Sequence, residues 1–282
     1  MGFFGRKRAP SVPHPRKEPR FDGPLTLERL EQIFQDCVDF TKRPVSLGEG
    51  GACTLTLCYL SGMVKMERVS DYVLRPLAQD EALARCGTPR QAMDRMKDGA
   101  LYNLSAEERT RLDAAVFDLV NGCCLLLFPW ESSVLSLNVG TEEKRSISSP
   151  SNETVLKGSR DAFVESLRTN TSIVRRHLKA PELRIREQVV GRQSVTSVDI
   201  LYIEGLTNPH LVEQVAAQLA DIDIDAVLAT GNIEEYIVPA ARTAFPLVQY
   251  TERSDRFCAG LAEGRVGILI DGLPLGYLRS EE

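Results

Sequence analysis

Two strand-like segments far apart in the chain read as copies of one another, and that repetition constrains the fold more than any other feature. Thr54 to Met63 overlays Thr196 to Leu206, with Tyr59 on Tyr202 and Gly62 on Gly205. A polar turn and an amphipathic helix follow each strand, with Val69, Val73, Leu74 and Leu77 apolar in the first copy and Val212, Val215, Ala216 and Leu219 in the second. Asn208-Pro209 gives the second helix a cap and a proline at its first helical position. Further on, Leu112 to Asn121 reads as a helix stopped by Gly122 before the strand Cys123 to Phe128. Ser254 to Glu263, Gly264 and Val266 to Asp271 repeat that order. Each copy also begins with a helix, carrying Leu27, Leu30, Ile33, Phe34, Cys37 and Val38 in one and Phe163, Leu167, Val174 and Leu178 in the other. Helix, glycine and strand follow one another in many α/β proteins, so chance matching of common patterns is the competing account.

The duplication predicts an α/β fold of two similar small subdomains in tandem, each a mixed sheet flanked by helices. The expected extents are a disordered basic tail over 1–24, a first subdomain over 25–140, a linker over 141–158 and a second subdomain over 159–282. The linker is placed where Gly140 to Asn152 is rich in charge and serine and contains Pro150. Local signals add detail. Ser105-x-x-Glu108 predicts a capping box before the helix of Leu112 and Val116, and Asn232-x-x-Glu235 another before Tyr236 and Ile237. Thr88-Pro89 opens a short helix.

Charge and composition exclude several classes. Hydrophobic residues make up 43% and charged residues 26%, ordinary globular usage. The longest apolar run, Cys123 to Pro129, is far short of the roughly 20 residues a membrane-spanning helix needs. The first 20 residues carry six Lys or Arg (Arg6, Lys7, Arg8, Arg16, Lys17, Arg20) against one Glu, or +5, which leaves −10 on the rest of a chain of net charge −5. That balance does not suit a nucleic-acid binder. The basic start is interrupted by Pro10, Pro13, Pro15 and Pro19, which excludes a regular helix, and it lacks the apolar stretch of a signal peptide. Arg6 stands where a myristoylation signal needs Ser or Thr. Two readings of the tail stay open, a solvated extension and an attachment to an anionic membrane surface aided by Phe3 and Phe4.

Catalytic and metal-binding constellations are missing from the sequence. Seven cysteines without a CxxC pair, four of them (Cys53, Cys58, Cys123, Cys124) in apolar runs, suggest small buried side chains in a reducing compartment. The three histidines, His14, His177 and His210, are scattered, so no metal-ligand spacing arises. Gly48-Glu-Gly-Gly51 lacks the Gly-Lys-Ser/Thr of a phosphate loop and precedes a strand. Asp221-Ile-Asp223-Ile-Asp225 imitates the start of a calcium loop, but Ala226 replaces its glycine; the alternation predicts a half-exposed strand. Glu107-Glu108 and Glu234-Glu235 fit first helical turns, where the helix dipole explains them. No catalytic residue, metal or cofactor is assigned, and the expected class is non-enzymatic.

The densest unusual polar stretch runs from Arg145 to Lys179. It reads either as a linker followed by a solvated helix, with Arg168, Arg175 and Arg176 on its far face, or as a contact surface for another domain or subunit, because arginine forks suit interfaces. The candidate contact residues are Arg145, Pro150, Glu153, Gly158, Arg160, Phe163, Glu165, Asn170, Arg175 and Arg176.

Here the sequence resembles the A subunits of bacterial spore germinant receptors, the GerA type. The shared pattern comprises Arg145, Ile147, Pro150, Glu153 and Gly158, then Phe163, Glu165, Leu167 and Asn170, then the Arg175-Arg176 pair. It continues through Pro181-Glu182-Leu183, Gly191, Thr196, Tyr202-Ile203, Asp225, Leu228, Ile233-Glu234-Glu235, Phe245-Pro246, Thr251-Glu252-Arg253, Glu263-Gly264-Arg265-Val266 and Asp271-Gly272-x-Pro274. Ser149 and Ser159 depart from the pattern. The resemblance implies a cytoplasmic region of two α/β subdomains at the face of the spore inner membrane, ahead of a membrane part that would follow Glu282. It implies assembly with B and C subunits and further A subunits, and a role in passing on the nutrient signal for germination. A small-molecule site in the cleft between the subdomains is the alternative.

Overall fold

The computed structural model describes residues 20–47, 53–101, 106–129, 131–140, 161–225 and 248–280. Its first half starts with α1 (Leu27–Ile33), where the Thr26 side chain accepts from the Arg29 N–H, and continues into β1 (Phe40–Ser46) and β2 (Thr54–Leu60). A layer of short helices follows: α2 (Met66–Arg68), α3 (Arg75–Gln79), α4 (Glu81–Ala84) and α5 (Pro89–Arg95), with π-type turns at Val69–Leu74 and Met96–Ala100. Then come β3 (Ala106–Arg109), α6 (Leu112–Val120), β4 (Cys123–Leu127) and β5 (Val134–Asn138). The second half holds α7 (Leu167–His177), β6 (Leu183–Val190), β7 (Thr196–Ile203), α8 (Pro209–Ala220), β8 (Val248–Thr251), α9 (Ser254–Ala262), β9 (Val266–Ile270) and β10 (Gly276–Arg279).

Each half is one five-stranded sheet, ordered β1-β2-β4-β5-β3 and β6-β7-β9-β10-β8. The two orders are identical, so the duplication read from the sequence is a duplication of fold. Corresponding strands begin at Phe40 and Leu183, Thr54 and Thr196, and Cys123 and Val266, a spacing of 142 or 143 positions. Even a backbone bond repeats: Asp39 O accepts from Ser61 N at 2.7 Å, and Glu182 O accepts from Glu204 N at 2.9 Å. The turn glycines Gly62 and Gly205 have φ of 79° and 77°, and the helix stops Gly122 and Gly264 have 88° and 90°, conformations an L side chain resists.

Strand alternation explains the layers, because successive side chains point to opposite faces. In β2, Leu55, Leu57 and Tyr59 pack under the short helices, whereas Cys58 and Leu60 face α1 and α6. In β9, Val266, Ile268 and Ile270 pack under α8, and Leu269 faces α7 and α9. Thr88 and Asn208 cap α5 and α8 as expected, accepting from Gln91 N and His210 N. The seven cysteines are free thiols; burial pushes Cys58 up to about 12 and Cys124 higher still.

Three local expectations are corrected. Every pairing within the two sheets is antiparallel, where mixed sheets were expected. Glu108 is not a capping residue: Ala106–Arg109 is an edge strand paired to β5, and α6 starts after Arg111. Its carboxylate accepts from Arg90, Lys97 and Ser133, which hold it at about 2. Asp221 to Asp225 keeps the expected alternation, with Ile222 buried and the aspartates outward, but it forms no strand. Residues 1–19 of the tail, the linker and the Asn232 cap lie outside the described residues.

Candidate functional site

The densest buried polar network follows one face of α7. Ser166 Oγ caps the helix by accepting from Thr169 N, and Arg168, Thr171, Ser172 and Arg175 recur at the spacing that aligns side chains on one side of a helix. Arg175 is 0% exposed. Its Nε donates to Asp39 Oδ2 at 3.0 Å and its Nη2 to Asp39 Oδ1 at 2.9 Å, a two-bond fork onto a carboxylate of the first half. Nη1 donates to Leu183 O at 3.1 Å and Ala180 O at 3.3 Å, so each nitrogen of the guanidinium has an acceptor. Asp39 is itself 5% exposed. Burial raises the neighbouring Cys37 thiol, against the pull of Arg175.

Backbone pairing continues the same seam. Val38 N donates to Ile185 O at 2.9 Å and Ile185 N to Asp36 O at 3.0 Å, so a short piece of the first half runs parallel along the outer edge of β6. Asp36 adopts φ of 56° to do so. Arg184, also buried, reaches back to Ile33 O and pairs with Glu204. Gly62 approaches so closely that a Cβ there would lie 2.6 Å from Ser172 Cβ. Farther along α7, Thr171 Oγ1 donates to Asp199 Oδ2 at 2.8 Å, while Arg168 contacts both Glu187 at 2.5 Å and Asp199 at 3.4 Å. Asp199 Oδ1 is buried without a partner, and burial pushes this carboxyl up to about 6.

The expected contact residues divide. Arg175 crosses to the first half. Phe163 packs edge-on against Phe257 with centroids 5.3 Å apart, Glu165 O accepts from Gly272 N, and Asn170 bonds both backbone groups of Val164, so these three knit the second half to itself. Arg176 contacts Ser172 Oγ at 3.4 Å. Arg145, Pro150, Glu153, Gly158 and Arg160 lie outside the described residues. Arg175 does not lie on a solvated far face: Arg168 and Arg175 share a stripe, but it dips under the first half, leaving the Arg168 side chain 52% exposed and Arg175 closed. Asp39, Arg184 and Asp199 have no local signal in the sequence beyond charges set among apolar neighbours.

A second feature of the seam is a half-open cavity of about 310 Å³ beside α6, lined by Phe21, Asp113, Phe117, Lys179 and Pro181 among others. Asp113 Oδ1 accepts from the N–H groups of Arg20 and Phe21, and Lys179 donates to Asn121 Oδ1 across the halves.

The nearest approach to a catalytic arrangement is Ser254, His177 and Asp161. Ser254 Oγ lies 3.2 Å from His177 Nε2, but the same nitrogen faces Asp161 Oδ2 at 3.5 Å. A catalytic carboxylate must hold the opposite ring nitrogen to set the tautomer. Ser254 is 0% exposed and its Oγ bonds Asp161 O, so the trio ties α9 to the segment before α7. Among the described residues no group of three or more His, Cys, Asp or Glu could hold a metal ion, and no helix is long and apolar enough to cross a membrane.

Comparison with known proteins places this architecture. The pattern of the Bacillus/Clostridium GerA spore germination protein matches residues 28–278. The chain belongs to this family. It is 33% identical over 248 residues to the uncharacterized membrane protein YfkQ of Bacillus subtilis (strain 168), covering 88% of this chain and 47% of that protein. Spore germination protein KA of the same organism is 32% identical over 84% of this chain and 43% of its own length. Spore germination protein GerLA of Bacillus cereus is 30% identical over 85% of this chain and 48% of its own length. The chain thus spans about half the length of these relatives. The crystal structure of the N-terminal domain of the A subunit of the Bacillus megaterium spore germinant receptor GerK3 superposes with a TM-score of 0.70 at 26% identity, covering 91% of this chain and 93% of that one.

Proposed function

We propose that this chain is the N-terminal region of a spore germinant receptor A subunit, a non-enzymatic module for receptor assembly and transmission of the nutrient signal. The observation that carries the reading is the match in fold and length to the germinant-receptor A-subunit domain, over 91% of this chain. The buried seam supports a transmitting role: an arginine fork onto Asp39 and backbone pairing along β6 couple the halves, so displacement of one is felt by the other. In this reading the region sits at the cytoplasmic face of the spore inner membrane, its partners are the B and C subunits and further A subunits, and the basic tail meets anionic lipid. The subdomain extents 25–140 and 159–282 belong to the same proposal.

The test is co-purification of the native protein with the B and C subunits of its own receptor, together with germination of spores lacking it. Capture of both subunits and a germination defect are expected. A protein that binds neither, in spores that germinate normally without it, contradicts the reading. A second reading is favoured by the cavity of about 310 Å³ on the seam, which is large enough for a small ligand. A thermal-shift screen with amino acids, sugars, nucleosides and ions separates the two, since a ligand at 100 times its Kd adds about 2.7 kcal/mol.

A further inference from the structure

Asp199 lies in the middle of β7, 0% exposed, directly opposite Glu187 on β6 and Leu269 on β9. The first sheet carries Thr56 at the same place, so the sheet itself does not call for an acid there. Asp199 Oδ2 is 2.8 Å from Thr171 Oγ1 and 3.4 Å from Arg168 Nη1, and Oδ1 is buried with no partner among the described residues. Arg168 turns chiefly to Glu187, at 2.5 Å, and its side chain is half exposed. The groups acting on Asp199 are thus Arg168 and Thr171 from α7, Glu187 from β6 and Asp39 from the first half, the two carboxylates opposing its ionisation. From β9 and α9 the same layer receives the apolar Leu269, Phe257 and Leu261.

The Thr171 hydroxyl decides which form of this carboxyl fits. It has one proton and stands between two acceptors, Asp199 Oδ2 and Leu167 O, the second at 3.0 Å. With Asp199 ionised, that proton serves one of them, and a charge is buried beside two other carboxylates with a share of one arginine. With Asp199 protonated, its O–H donates to Thr171 Oγ1 and the Thr171 O–H to Leu167 O. A relay then runs from strand to helix backbone without a buried charge. The carboxyl pushed up to about 6 by burial agrees with this preference. The same helix grips the first half just beyond, Ser172 against Gly62 and Arg175 on Asp39. We propose that Asp199 is a proton-operated latch on α7, holding the helix and the seam it carries when protonated and loosening both when ionised. The device acts within the chain, independently of the partners with which the chain assembles.

The test is hydrogen–deuterium exchange of the 282-residue chain at about pH 5 and about pH 7.5, with exchange times scaled to the intrinsic amide rates. It compares the wild type with Asp199→Asn, which keeps a donor toward Thr171, and Asp199→Thr, which places there the residue of the first sheet. A carboxyl at about 6 in the closed helix and at its ordinary 3.8 once exposed makes opening about tenfold easier at the higher pH. Protection of the α7 amides is therefore expected to fall about tenfold in the wild type, with the Gly62 turn following, and to stay level in both variants. The latch is overturned if wild-type protection of α7 does not change with pH, or if both variants lose it as the wild type does. A loss confined to α7, with the Gly62 turn unchanged, overturns its link to the seam.

Discussion

The two halves share one backbone plan and differ in where they place polar side chains. Strand order, turn glycines, helix stops and the Asp39–Ser61 and Glu182–Glu204 backbone bonds repeat. At positions 143 apart, however, Pro44 and Thr56 of the first sheet give way to Glu187 and Asp199 of the second, and buried Leu25 to Arg168. These three residues meet one another beside the seam, Arg168 contacting Glu187 and Asp199, on the same α7 and β6 whose Arg175 and Ile185 reach the first half. Duplication supplied two stable sheets whose apolar faces repeat, and the seam was written onto one of them with charges. The first half contributes Asp36 to Asp39, the Ile33 carbonyl, the Asn121 side chain and the close approach at Gly62.

The largest expected effect breaks the comparison at the seam. Arg175→Met leaves Asp39 buried and unpaired, a loss of about 3–5 kcal/mol, read by urea or thermal unfolding. Next comes the glycine pair. Gly205→Ala meets nothing within 4 Å, so it costs only the left-handed backbone, about 1–2 kcal/mol. Gly62→Ala carries the same cost plus a clash with Ser172 of the other half, a further loss of about 1–3 kcal/mol. Equal losses would contradict the close approach.

A pH-dependent effect sharpens the contrast between Asp199 and Thr56. Burial holds Asp199 up to about 6, above its ordinary 3.8. A carboxyl raised on folding stabilises the native state fully below the unfolded value, and that contribution is lost as pH rises from about 4 through 6, by about 2 kcal/mol. Arg168 and Thr171 on α7 favour the charged form, and Glu187 on β6 and Asp39 oppose it. Asp199→Asn is expected to flatten the slope of stability over that range, with Arg168→Met as the control that steepens it. A wild type whose slope across this window matches that of Asp199→Asn would contradict the assignment.

How much of this was legible in the sequence follows from the range of the interactions. Gly122, Gly264, Thr88 and Asn208 act on their own helices, and the apolar periodicity of β2 and β7 is local, so the duplicated plan could be read directly. Ser105-x-x-Glu108 misled because Ala106 to Arg109 fits a capping box and an edge strand equally, and the choice is made by β5 and by Arg90, Lys97 and Ser133. Strand direction carries no local signal: mixed sheets are the expectation, yet β2 to β4 and β7 to β9 return antiparallel. Arg175 could be marked as a contact residue, but its partner Asp39 stands 136 positions away, beyond any local pattern.

The central claim is that the halves are locked by the Arg175–Asp39 pair, and a double-mutant cycle with Arg175→Met and Asp39→Asn tests it most directly. The account predicts that each single variant is strongly destabilised and that the double variant loses far less than the sum, with a coupling of about 1–3 kcal/mol. Additive losses, or a single variant as stable as the wild type, would contradict it.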